Sequence, residues 1–299
     1  MKTVGVIGCG LMGQGIVKNL LKNNFIVYIN DINEDAIEKL VNEGAKATES
    51  IEEIASKVEC LILSLPSPQL IKQIMLDEQN GAISFMQPGS YILDMSTNDV
   101  GATREIHDKA QSKNIEFFDC PLSGGPSGAD SGTLTIMVGG NKEAFTSIMS
   151  VLNAVGSHIE YIGQSGAGQV VKLCHNMVVG GVIALLSETF LTGEQAGVSK
   201  EKIASILQKG SGQTKVMEVF GPNLLNSTFQ EVKFSLSNMQ KDIHLYQRLA
   251  ETSKVPTFAS QMIHQLYQVS QNRGKGQSDS TVVYEFLAEL GGDKKSPVQ

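Results

Sequence analysis

Between Glu160 and Glu188 a single side chain is charged, counting histidine as neutral, and it is Lys172. It stands before a run, Leu173 to Ser187, that is apolar at nearly every position. A helix apolar on all sides is a buried helix. An ammonium buried there loses hydration unless a partner or a task compensates. Burial also lowers a lysine pKa toward the range where protons exchange near neutrality. Asn176 follows at i+4 and shares the helical face. The two read as a proton-transfer group and a hydrogen-bonding residue that orients it. A snorkelling lysine with a capping asparagine is the plainer alternative. His175, at i+3, is a rival acid, but a single histidine in an apolar helix is more often a satisfied core group. Cys174 and Met177 read as core.

A second group opens the chain. Gly8-x-Gly10-x-x-Gly13 follows a strand-like run, Val4–Ile7, and leads into helical spacing. An acidic residue, Asp31, ends the next β-rich run. Glycines at this spacing permit a tight turn (Gly8), close approach of backbone to a pyrophosphate (Gly10) and close helix–strand packing (Gly13). The helix start offers N–H groups and a positive dipole end to phosphates. A carboxylate at Asp31 accepts both ribose hydroxyls of NAD and repels a 2′-phosphate. Ile32 and Asn33 follow it, with no cation before Lys39. NAD is therefore the expected cofactor and NADP the alternative. A helix cap is the bland reading of Asp31.

Asp119-Cys120-Pro121-Leu122-Ser123-Gly124-Gly125 follows another strand-like run. Its Ser123 hydroxyl and the Gly124 and Gly125 N–H groups suit a carboxylate, and an ordinary glycine turn explains them equally well. Lys241-Asp242 reads, by itself, as a solvated charge pair.

The elements that must position these groups change character along the chain. Up to Gly163, strands of four to six residues alternate with helices, which predicts βαβ units and a parallel sheet. Lys200–Gln208, Asn238–Thr252, Gln261–Asn272 and Ser280–Leu290 then carry helical spacing only. The expected domains are 1–163 and 164–299, the second all-helical, with a frayed polar tail at Gly291–Gln299. The chain has 299 residues and a net charge of −7, and its 24 basic residues form no run. That composition argues against nucleic-acid or anionic-membrane partners. The longest apolar stretch, Leu173–Ser187, falls short of the roughly 18 residues that suggest a membrane span. No leader is read at the N-terminus. Four scattered cysteines, Cys9, Cys60, Cys120 and Cys174, form no CxxC pair. They are expected to be reduced thiols in a cytoplasmic protein, with no zinc site.

Gly8-Cys9-Gly10-Leu11-Met12-Gly13, Asp119–Gly125, Gly168-Gln169-Val170-Val171-Lys172-Leu173-Cys174-His175-Asn176 and Lys241-Asp242 together resemble, in order, the four signatures of the β-hydroxyacid dehydrogenases. That family includes the 3-hydroxyisobutyrate dehydrogenases and the tartronate, glyoxylate and succinic semialdehyde reductases. The resemblance spans nearly the whole chain. It implies an α/β fold, an N-terminal Rossmann-type doubly wound, mostly parallel sheet followed by an all-α domain. It implies an NAD(P)-dependent oxidoreductase acting on a short 3-hydroxy acid. Semialdehyde reduction is the alternative within the family, and a catalytically silent nucleotide sensor or scaffold the alternative outside it. A 6-phosphogluconate dehydrogenase would need more cations than Arg248 and Arg273 for its substrate's phosphate.

By resemblance, Lys172 is the general acid/base and Asn176 orients the substrate. Gly8, Gly10, Leu11, Met12, Gly13, Asp31, Leu65, Pro66, Thr97 and Lys241 line the cofactor. Ser123, Gly124, Gly125, Phe234 and Asp242 border the substrate together with Lys172 and Asn176. No metal is implied. The long second-half helix is expected to pack against a partner subunit or a helical bundle, in a homodimer or homotetramer. The family's common Ala-Pro-Val is Cys120-Pro121-Leu122 here, a mild change of volume.

Overall fold

The computed structural model describes residues 1–291. The expected tail therefore lies, from residue 292 on, outside the described residues. Strand and helix alternate through β1 (Thr3–Ile7), α1 (Leu11–Lys22), β2 (Ile26–Asn30), α2 (Glu34–Asn42), β3 (Lys46–Ala47), α3 (Ile51–Lys57) and β4 (Cys60–Leu63). They continue through α4 (Pro68–Leu76), α5 (Ala82–Phe85), β5 (Tyr91–Asp94), α6 (Val100–Gln111), β6 (Glu116–Asp119) and β7 (Leu122–Ser123). Then come α7 (Gly125–Ser131), β8 (Leu134–Gly139), α8 (Phe145–Val155) and β9 (Gly156–Gly163).

The sheet order is β3-β2-β1-β4-β5-β6-β8-β7, with β9 paired to β8. Strands β3 to β6 run parallel; β8 is antiparallel to β6 and β7. The chain leaves β1 toward β2 and later returns to its other side as β4. Ligands of open α/β sheets bind at such a reversal, outside the strands' C-terminal ends. Within a strand, successive residues feed two apolar layers. In β4, Cys60 and Ile62 join one layer while Leu61 and Leu63 join the other. In β6 the same division separates Phe118 from Phe117. The strands read as unbroken apolar runs because both faces are covered. Local signals start the helices. Asn33, Ser50, Ser67 and Asp99 each accept an N–H of the first turn of α2, α3, α4 and α6.

A 29-residue helix, α9 (Ala167–Gln195), follows. The remaining elements are α10 (Lys200–Leu207), α11 (Lys215–Asn226), α12 (Leu236–Thr252), α13 (Phe258–Asn272), a short 3-10 turn at Ser280–Val282 and α14 (Val283–Leu290). Helix α11 was missed because Gly221-Pro222 reads as a breaker, yet Pro222 sits inside the helix. Its missing N–H is tolerated there despite the usual cost. The helical core gathers Phe190, Leu236, Met239, Ile243 and Tyr267. The Tyr267 hydroxyl donates to the Gly180 carbonyl at 3.2 Å and ties α13 to α9. A Cβ on Gly180 would come within 2.8 Å of Ile243, so glycine allows that close packing.

Helix α9 is long and apolar enough to cross a membrane by length and composition, although 56% of its most apolar window is buried inside the protein. It is not buried all round. Cys174 is exposed, which corrects its reading as core, and Val178 and Leu185 are exposed too.

The chain divides into compact units at Lys172/Leu173, inside α9, later than the 163/164 boundary expected from the glycines. A buried polar network at the C-terminal ends of β5 and β6 holds the first turn of α9. Gly166, the residue before α9, has no side chain with which to cap the helix. Asp119, at the end of β6, caps it instead. Its carboxylate accepts the N–H of Gly166 at 2.7 Å and of Gln169 at 2.9 Å. The Gln169 amide donates to the Ser96 carbonyl at 2.9 Å and accepts the Asn98 N–H at 3.0 Å. Asp94 faces Asp119 across the β5–β6 register. It accepts the Ser96 N–H at 3.1 Å and the Asn98 amide at 3.0 Å. The first turn of α9 thus belongs to the sheet.

Two predictions follow from this edge. A Cβ at Gly168 would lie 2.3 Å from the Met137 carbonyl oxygen and 2.9 Å from an Asp119 oxygen. Gly168→Ala should cost about 1–3 kcal/mol of stability, read from urea unfolding; an unchanged midpoint would contradict the close approach. Burial pushes the Asp94 carboxyl up to about 6, against its hydrogen bonds. A carboxyl raised on folding adds stability below its unfolded pKa, and that stability is lost as pH rises through about 6. Relative to Asp94→Asn, the wild type should therefore gain on the order of 1–2 kcal/mol between pH 7 and pH 5. A pH-independent difference between the two would contradict the shift.

Candidate functional site

The turn between β1 and α1 is built for close approach. Gly8 has φ +99°, and a Cβ there would sit 2.2 Å from the Ser64 carbonyl oxygen. A Cβ on Gly13 would come within 1.9 Å of the Gly8 carbonyl oxygen, so α1 packs directly on the turn. Gly10 differs: a Cβ there would meet nothing within 4 Å. Open space beside the first N–H groups of a 12-residue helix suits a dinucleotide's pyrophosphate.

Asp31 lies at the end of β2. Its carboxylate accepts the Cys9 N–H of the turn and the Asn33 N–H at 2.8 Å. The α2 cap is Asn33, which accepts the Ala36 N–H at 3.1 Å, and not Asp31. Asp31 therefore braces the glycine turn. Burial and the neighbouring Asp31 push the Cys9 thiol up to about 12, so it stays protonated. Leu11 is exposed and Met12 half-buried at the start of α1.

Leu65 and Pro66 follow β4, and Thr97 follows β5. The Leu65 N–H donates to Ser96 Oγ at 2.9 Å, which links these two loops. Ser123 ends β7, and Gly124 and Gly125 continue with φ of +125° and +61°. Helix α7 behind them is locked to α1. Asn19 on α1 donates to the Ala129 carbonyl at 2.7 Å and the Asp130 carbonyl at 3.2 Å. A Cβ on Gly15 would lie 2.6 Å from Ala129. The glycine turn and the Ser123–Gly125 loop are thus fixed to one another through a tight helix pair.

Lys172 lies on α9, three residues beyond Gln169, with only 7% of its surface exposed. The first unit therefore gathers Gly8, Gly10, Leu11, Met12, Gly13, Asp31, Leu65, Pro66, Thr97, Ser123, Gly124, Gly125 and Lys172. All but the last stand in or beside the loops that follow the strands, at the sheet's C-terminal edge.

The second unit has its own polar cluster. Asn176 is 4% exposed and Asp242, on α12, 1%. The Asn176 amide donates to Asp242 Oδ2 at 2.5 Å, and its Oδ1 meets His175 Nδ1 at 2.9 Å. Lys241 Nζ lies 2.9 Å from Asp242 Oδ1. The reading of Lys241-Asp242 as a solvated pair is corrected, since its acid is buried and orients Asn176. His175 is exposed, and it partners Asn176. Phe234 precedes α12, and its N–H donates to Asp279 Oδ2 at 3.1 Å. Asp279 also accepts the Lys233 N–H at 2.8 Å and the Thr281 hydroxyl at 2.6 Å.

Asn19, Asp94 and Asp279 were not singled out from sequence, and Gln169 stood inside a quoted motif with no role read for it. Each acts by bonding to backbone or to a partner far along the chain, and residue spacing carries no signal of that. Asp119 stood inside a quoted motif, but nothing local marked it as a helix cap. Among the described residues, no cluster of three or more His, Cys, Asp or Glu side chains is arranged for a metal ion.

Comparison with known proteins supplies the chemistry. Residues 3–163 match the family model of the NAD-binding domain of 6-phosphogluconate dehydrogenase. Residues 166–287 match that described as NAD-binding of NADP-dependent 3-hydroxyisobutyrate dehydrogenase. A Dictyostelium discoideum protein named "Probable 3-hydroxyisobutyrate dehydrogenase, mitochondrial" is 34% identical over 96% of this chain and 91% of its own length. The 2-(hydroxymethyl)glutarate dehydrogenase of Eubacterium barkeri is 31% identical over 97% and 96% of the two chains. The solved Mycobacterium tuberculosis 3-hydroxyisobutyrate dehydrogenase with L-serine superposes with a TM-score of 0.88 at 25% identity, covering 96% and 99%. The two-part fold, the close-packed glycine turn and these matches over nearly the whole chain agree: the chain belongs to the β-hydroxyacid dehydrogenases of the 3-hydroxyisobutyrate dehydrogenase type, enzymes that use a nicotinamide cofactor.

Proposed function

We propose that the chain oxidises a 2-substituted 3-hydroxypropanoate, with 3-hydroxyisobutyrate the leading substrate, and that Lys172 is its general acid/base. The single observation that carries the reading is Lys172 itself, buried on a helix whose first turn is hydrogen-bonded to the sheet edge. The relatives' names supply the substrate class. 3-Hydroxyisobutyrate, 2-(hydroxymethyl)glutarate and L-serine each carry a primary alcohol on the carbon next to the one bearing a carboxylate.

A nicotinamide cofactor held at the Gly8–Gly13 turn would supply the acceptor for the hydride of the alcohol carbon. The roles of the chain's own residues are those that the resemblance to the family implies. Ser123 and the Gly124 and Gly125 N–H groups receive the substrate carboxylate. Lys172, as the free amine, takes the hydroxyl proton; in the reverse direction its ammonium protonates the forming alkoxide and stabilises its charge. Asn176, held by Asp242, orients the substrate oxygen, and Lys241 serves the nicotinamide end. Phe234 borders the substrate's 2-substituent. Asp31 favours NAD, because a 2′-phosphate would meet a carboxylate. Semialdehyde reduction by the same groups is the second reading, and it gains weight if NADP proves to be preferred.

Four free thiols fit a reducing compartment such as the cytoplasm. The exposed Val178 and Leu185 on α9 and Phe258 and Met262 on α13 fit burial against a second copy, as a homodimer or homotetramer. Sedimentation of the purified chain as a monomer would overturn that assignment.

Initial rates with NAD and NADP against 3-hydroxyisobutyrate, glycerate, 3-hydroxypropionate and 4-hydroxybutyrate test the reaction. A clear rate with NAD on 3-hydroxyisobutyrate is expected. Lys172→Ala should lower kcat by about 10²–10⁴-fold while NADH binding is kept, and wild-type turnover in that variant would overturn the mechanism. Asp31→Ala should lower the NAD/NADP ratio of kcat/KM by about tenfold or more, the loss of one charge-assisted hydrogen bond. An unchanged ratio would remove Asp31 from cofactor choice.

A further inference from the structure

We infer that Asp119 is a positioning residue for the reaction, acting on Lys172 through the first turn of α9. The inference rests on Lys172 as the proton-transfer group and adds how the fold holds it in place.

The geometry is specific. The glycine before α9, Gly166, has φ +89° and no side chain to cap the helix. The Asp119 carboxylate takes over that role from β6, with one oxygen on the Gly166 N–H at 2.7 Å and the other on the Gln169 N–H at 2.9 Å. Gly168 lets the helix come close enough for both bonds, since a Cβ there would press on an Asp119 oxygen at 2.9 Å. The Gln169 side chain adds a second tether, to Ser96 and Asn98 beyond β5. Every member of this set is buried, and charge-assisted bonds to backbone N–H groups are among the stronger ones. Lys172 lies one turn from Gln169. A shift of that turn moves the ammonium bodily, and a misplacement of about 1 Å costs on the order of 10²-fold in rate. Among the described residues, the hydrogen bonds of the Asp119 carboxylate go to this helix start, at Gly166 and Gln169. Its loss therefore falls on the rate of chemistry, not on nucleotide binding at the glycine turn.

The test is Asp119→Asn, compared with the wild type and Lys172→Ala. The amide keeps one acceptor and turns an N–H group toward a backbone N–H, which breaks one of the two bonds. The expected result is a 10–100-fold fall in kcat, with NADH affinity and substrate KM within about threefold of wild type. The primary deuterium isotope effect on kcat should also rise, measured with substrate deuterated at the carbinol carbon. A merely smaller folded fraction would lower kcat without moving the isotope effect. Wild-type kcat in Asp119→Asn, or an unchanged isotope effect, would overturn the inference. Gln169→Met keeps the chain length and removes only the second tether. If Asp119→Asn does not fold, Gln169→Met decides: a several-fold fall in kcat with a raised isotope effect supports the inference, and unchanged kinetics overturn it. Wild-type activity in Lys172→Ala would instead remove the underlying mechanism, so the two failures are distinguishable.

Discussion

Two backbone N–H groups at the start of α9 converge on the buried carboxylate of Asp119, one turn before the buried Lys172. A helix start without a capping side chain leaves donors unsatisfied. Burying it at a sheet edge is tolerable only if another part of the chain supplies the acceptor. β6 supplies it, and the result is more than satisfaction of donors. The helix is tied to the sheet by Asp119, so Lys172 inherits a position from a strand more than 50 residues earlier in the sequence. The cost is a pair of buried acids, Asp94 and Asp119. Burial pushes both carboxyls up, and their hydrogen bonds pull them back in part.

The remaining groups of the first unit are fixed by packing rather than by charge. The glycine turn needs Gly13 against Gly8, and the Ser123–Gly125 loop needs α7 against α1 with Gly15 and Asn19 between them. Both loops are rich in glycine and so present mostly backbone. Backbone held by close helix packing loses little on binding an anion, because its conformation is already set. In the second unit the same economy appears in Asp242, which orders Asn176, and in Asp279, which gathers the segment around Phe234. Each buried acid there is engaged by more than one donor or cation.

Much of this was legible in the sequence, for identifiable reasons. Unbroken apolar strands, the glycine spacing and Asp31 announced a parallel sheet with a dinucleotide turn, because those features are local and periodic. Lys172 stood out because an isolated charge in an apolar run is visible without a structure. Helix α11 was hidden by Gly221-Pro222, a local signal that tertiary packing overrides. The capping of α9 by Asp119 was hidden because only folding brings that residue to the helix. Cys174 was misread as core because a helix apolar in composition need not be covered on every side by its own chain.

The central claim is direct hydride transfer from a short 3-hydroxy acid with Lys172 moving the proton. It is tested most directly with 3-hydroxyisobutyrate carrying deuterium at its carbinol carbon, incubated with the protein and NAD, with the reduced cofactor then analysed by mass spectrometry. The account predicts one deuterium on the nicotinamide ring of the product cofactor in the wild type and next to none with Lys172→Ala. Unlabelled reduced cofactor from the wild type, or equal labelling by the variant, would contradict it.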